Sequence, residues 1–74
     1  PSAAEVRKVA LHGDLNEALD LAIKLEEDSV AFYEELLASV DGRAADAVAA
    51  IVKEEQKHVS NLQAARKDVR SASL

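Results

Sequence analysis

The stretch Glu54-Glu55-Gln56-Lys57-His58 decides how this chain is read. It lies in a run where Ala44, Val48, Ile51, Leu62, Ala65 and Val69 recur every three or four residues, the spacing of one helix face. Glu55 and His58 fall on that same stripe, where core residues belong. Residues three apart are neighbours on a helix, so the two side chains share a face. A carboxylate and an imidazole are poor core material and good ligands for a divalent cation.

The run upstream behaves the same way. Its stripe reads Leu19, Ile23, Glu26, Val30, Tyr33, Leu37. Glu26 and Tyr33 are seven residues apart and lie within about 20° of each other around a helix. Both helices therefore carry polar interruptions near their middles. The only strong breaker between them is Asp41-Gly42, which predicts a first helix of about 26 residues, or roughly 39 Å. A second helix follows from about Arg43 to about Val69. A short turn makes the two antiparallel neighbours and brings Glu26 to the level of Glu55 and His58.

Ahead of this hairpin, residues 1–13 read as an arm or short helix with Val6, Val9 and Ala10 as its apolar side. Gly13 fits a C-cap. Asp14 and Glu17 fit an N-cap and its third-position partner. The hairpin spans 14–70, and residues 71–74 read as a frayed tail. No strand pattern or internal repeat is present.

At 74 residues the chain is one small domain, marginal as a lone monomer. It has no cysteine, which excludes disulfides, iron–sulfur clusters and thiolate zinc sites. Metal binding and oligomerisation remain as sources of stability. Fourteen acids against nine bases argue against nucleic-acid binding. No apolar run approaches the ~20 residues of a membrane span, and no leader pattern is visible, so a soluble, cytoplasmic protein is expected.

An ionised carboxylate in a core is costly unless its charge is offset. Lys24, Lys53 and Lys57 project from other faces. Two chains bring four carboxylates, from Glu26 and Glu55, and two neutral imidazoles. Two divalent ions would balance that charge, and the donor set suits iron, manganese or zinc. Glu54, one residue off the stripe, reads either as a solvated residue or as an outer partner of the ligands. Tyr33, on its own residues, reads as a core aromatic with a hydrogen-bonded tip. His12 reads as a solvated cap residue, and Glu27, Asp28, Glu34 and Glu35 as the solvated face.

Glu26-Glu27-Asp28-Ser29-Val30-Ala31-Phe32-Tyr33 resembles the Glu-x-x-(Ala/Ser)-x-x-Phe-Tyr signature of rubrerythrin-type proteins in the ferritin-like superfamily. Glu54-Glu55-Gln56-Lys57-His58 is similar to their Glu-x-x-His helix. The resemblance covers roughly Leu15 to Leu62. It implies a four-helix bundle with two iron ions between helices. It also implies Glu26 as terminal carboxylate, Glu55 as bridging carboxylate, His58 as imidazole ligand and Tyr33 beside the metals. This chain has one motif pair where the family's usual chain has two. A homodimer, or a higher even oligomer, of hairpins restores the count, with two irons per dimer. The implied chemistry is ferroxidase-like: oxidation of ferrous iron by dioxygen or peroxide. There is no rubredoxin-like cysteine module, so any electron donor is external. Two other readings stay open: a metal-stapled bundle without turnover, and a metal-free helical interaction module.

Overall fold

The computed structural model describes residues 1–72. It contains three helices in order: α1 (Ala3–His12), α2 (Leu15–Leu37) and α3 (Gly42–Ala72). No strand occurs among the described residues, and the chain is all-α. The expected frayed tail is in part helical, since α3 runs on to Ala72. Residues 73 and 74 lie outside the described residues.

Side-chain caps set where α1 and α2 begin. The Ser2 hydroxyl accepts from the Glu5 amide at 3.1 Å, and the Asp14 carboxylate accepts from the Glu17 amide at 2.8 Å. Each satisfies one of the amides that a helix start leaves without a partner. Between these helices Gly13 is extended, with φ −80°, not left-handed. Glycine is needed there for room. A Cβ would stand 2.7 Å from the Val9 carbonyl oxygen, which already accepts the Gly13 amide at 2.9 Å.

α2 ends earlier than the breaker implied. The Ala38 amide still reaches the Glu34 carbonyl, but those of Ser39 and Val40 fall back to Leu36 and Leu37, at 2.9 and 3.5 Å. This tightening to three-residue spacing unwinds the helix. Residues 38–41 then reverse the chain, which the sequence pattern alone had counted as helix. Gly42 follows with φ 57°, a left-handed conformation that costs other residues roughly 1–2 kcal/mol.

α2 and α3 run antiparallel. Asp20, near the start of α2, pairs with Arg66 and Arg70 near the end of α3, and Glu26 meets His58. The molecule measures 48 × 27 × 12 Å. The thin dimension is that of one helix with its side chains, so the helices form a single layer. One line of contact closes it. Ile23 on α2 and Val48 and Val52 on α3 are the buried apolar side chains among the described residues. Leu19, Val30, Leu37, Val59 and Leu62 are half-buried beside them. The inner line of α3 therefore passes through Val52 and Val59. Ile51, placed on the stripe by spacing, is exposed. α1 packs on α2 and contains no buried residue. Among the described residues no helix is long and apolar enough to cross a membrane.

Gly42→Ala should lower stability by about 1 kcal/mol, because the left-handed φ is strained for alanine even though a Cβ meets nothing within 4 Å. Urea unfolding followed by far-UV circular dichroism measures this. Gly42→Asn should recover part of the loss, since asparagine tolerates that region best among the other residues.

Candidate metal centre

Helical periodicity places the three polar residues of the inner stripes, and the antiparallel packing brings them together. One oxygen of Glu26, one of Glu55 and one ring nitrogen of His58 lie within 4.8 Å of one another. His58 Nδ1 stands 3.6 Å from Glu26 Oε2 and 3.8 Å from Glu55 Oε2. The Glu55–His58 contact is fixed within α3 by three-residue spacing. The Glu26 contact crosses between helices and depends on how α2 sits against α3.

These distances can be compared with what one ion requires. Donors bound at about 2.1 Å each can be at most about 4.2 Å apart on the same ion. Both contacts to His58 lie inside that limit, while the 4.8 Å spread of the three donor atoms lies beyond it, so the trio has to draw in by roughly half an ångström to share one ion. Two hard oxygens and one imidazole nitrogen suit a divalent transition metal such as iron, manganese or zinc. The donor set fits the implied metal. Three donors are fewer than the four to six that such ions take, so further ligands are needed from water or from a second chain. Without metal, the same contacts hold an imidazolium as an ion pair whenever His58 is protonated.

The site faces outward on the single layer. The Glu55 side chain is 22% exposed, Glu26 29% and His58 49%. The inner stripe of Glu55 and His58 is thus a rim, not a core, because no second layer covers it. At 100° per residue, Ile51, Glu55 and His58 fall within about 60° on α3, and Glu26, Tyr33 and Leu36 within about 80° on α2. Ile51 and Leu36 are exposed apolar side chains on this rim, while Phe32 (61% exposed) and Leu25 continue the apolar surface around α2. Donors and uncovered apolar residues share one face.

The other expected residues stand outside the trio. Tyr33 is half-buried, with its ring edge-on to Phe32 at 5.2 Å between centroids. Glu54 is 62% exposed and pairs with Lys57 at 3.5 Å, on the solvent side. His12 and Glu27, Asp28, Glu34 and Glu35 are exposed.

Asp20, Arg66 and Arg70 went unremarked by sequence reasoning. Asp20 Oδ1 accepts from both arginines, at 3.0 and 3.2 Å. The available signal was Arg66 and Arg70, four apart on one face of α3. Antiparallel registry then sets them beside a lone acid six residues before Glu26.

No protein-family model, curated protein or solved structure matches the chain.

Excess Co²⁺ or Zn²⁺ should raise the melting temperature of the wild type and leave His58→Ala unmoved. Ligand that binds only the folded state adds about 2.7 kcal/mol at a hundredfold excess over Kd. Thermal melts across a metal series read this directly. Equal shifts in both proteins would remove His58 from the ligand set.

Proposed function

We propose that this protein is a rubrerythrin-type, ferritin-like metal-binding hairpin that pairs with a second copy and oxidises ferrous iron. The observation that carries the reading is the convergence of Glu26, Glu55 and His58 on the face that also leaves Ile51 and Leu36 uncovered. The paired motifs around Glu26 and Glu55 support the family assignment by their residues alone.

In this reading the second hairpin lies on the donor-bearing face and completes a four-helix bundle. Each chain contributes Glu26, Glu55 and His58. Four carboxylates then carry −4 against +4 from two divalent ions, which offsets the cost of enclosing them. By the family resemblance Glu55 would be the carboxylate shared by both ions, with Glu26 and His58 each holding one. Ile51 and Leu36 exclude water around the site. Two ferrous ions held this way supply, as substrate, the two electrons that dioxygen or peroxide takes up.

A metal staple without turnover is the second reading. It is favoured by the small buried core of Ile23, Val48 and Val52, which leaves stability to be found elsewhere. Oxygen-dependent oxidation separates the two readings.

Glu55→Ala should abolish most ferrous oxidation in an aerobic assay, while Glu34→Ala, exposed and off the rim, should keep the wild-type rate. Equal rates for both would sink the ferroxidase reading. Sedimentation of the wild type should show an even oligomer, and Ile51→Glu should shift it toward monomer by burying an unpaired charge at the contact. A well-folded monomer at micromolar concentration would remove the second copy from the site.

A further inference from the structure

We infer that Asp20, acting through Arg66 and Arg70, is a positioning residue that holds Glu26 against Glu55 and His58; this rests on the metal-binding reading above. Glu55 and His58 keep their spacing through α3 alone. Glu26 arrives on the other helix, so its place depends on how closely α2 and α3 stay together at that level. The chain connection at 38–41 begins twelve residues beyond Glu26, about 18 Å along the helix. On that side Val48 and Val52 are buried. Toward the open end Ile23 is buried and Leu19, Leu62 and Val69 are half-buried. No loop joins α2 to α3 at that end, so side-chain contacts alone hold the two helices together there.

The Asp20 clamp lies six residues past Glu26, toward that open end. Arg66 Nη1 donates to Asp20 Oδ1 at 3.0 Å, and Arg70 Nη2 donates to Oδ1 at 3.2 Å and Oδ2 at 3.3 Å. The two arginines stand one turn apart and converge on a single carboxylate. That geometry resists separation of the helices. It also resists sliding, because a shift of one turn, about 5.4 Å, takes one arginine out of reach. The same shift exceeds the 4.8 Å within which the three donor atoms gather. Asp20 is 48% exposed and Arg66 30%, and exposed pairs contribute little to stability. The consequence of the clamp is geometric.

The chain has no cysteine, so Lys24→Cys and Asn61→Cys accept nitroxide labels cleanly at exposed positions level with the cluster. Pulsed electron resonance, on labelled protein diluted in unlabelled protein, reads the distance between α2 and α3. The distribution should be narrow in the parent and broader in Asp20→Asn, with Asp20→Glu restoring it. In parallel, Co²⁺ affinity should fall by up to about fivefold in Asp20→Asn and return in Asp20→Glu. Glu27→Gln, which removes one charge adjacent to the cluster without touching the clamp, should cost less affinity than Asp20→Asn. An unchanged distance distribution in Asp20→Asn overturns the inference, as does an equal loss of affinity in Glu27→Gln. If the parent itself takes up no Co²⁺, the metal reading fails. The label distances then decide the clamp on their own: a broadened distribution supports it, and an unchanged one overturns it.

Discussion

A single layer of helices buries only the line along which its members touch. Here that line runs through Ile23 on α2 and Val48 and Val52 on α3, flanked by half-buried Leu19, Val30, Leu37, Val59 and Leu62. Stable domains normally bury apolar faces between two layers, and this chain supplies one, 12 Å thick. The rest of its apolar surface stays on the two sides of the layer. On one side that surface is interrupted by two carboxylates and an imidazole. The interruption is tolerable because the side is open. Glu26, Glu55 and His58 each keep part of their hydration, so part of the desolvation cost falls only when something covers the face.

Each helix has an apolar arc wider than one neighbour can cover. On α3 the arc runs from Val52 and Val59 around to Ile51, which is exposed. Glu55 lies between these edges and His58 just beyond Ile51. On α2 the corresponding sweep runs from Ile23 and Val30 through Glu26 and Tyr33 to Leu36 and Leu25. The donors therefore occupy the border between a contact the chain makes with itself and a surface it leaves free. A ligand set at such a border is half-built by folding. The antiparallel hairpin alone brings Glu26 within 3.6 Å of His58.

Much of this was legible in the residues. Asp14 and Glu17 announced the start of α2, Gly42 the turn, and the three-and-four spacing the faces. The meeting of Glu26 with Glu55 and His58 followed from those readings, since the depth of a residue in an antiparallel hairpin is set by its distance from the turn. What spacing could not decide was which of two adjacent apolar residues faces the partner helix. Ile51 and Val52 both fit a broad stripe, and packing chose Val52. The end of α2 was misplaced for a related reason. A glycine marks where a chain has turned, but the turn itself consumed Ala38, Ser39, Val40 and Asp41 before reaching it. The Asp20 clamp was invisible to periodicity because its partners are 46 and 50 residues away in sequence. Only a registry between helices brings them together.

On the proposed reading, the position of the donors would tie assembly to metal. In the proposed pair, covering the rim gains apolar contact from Ile51 and Leu36 but strips water from four carboxylates. Like charges brought together in a low dielectric repel, and an uncompensated buried charge costs several kcal/mol. The apolar gain is opposed until cations arrive. With two divalent ions in place the same carboxylates become attractive across the contact. Metal then binds the pair more tightly than the single hairpin, and by linkage the pair forms more readily in the presence of metal. The hairpin's own buried line, by contrast, contains no charge and has Ile23, Val48 and Val52 as its buried side chains among the described residues. In the proposed pair two steps are separate: apolar residues close the hairpin, and the charged residues beside them would make the next association conditional on a cation.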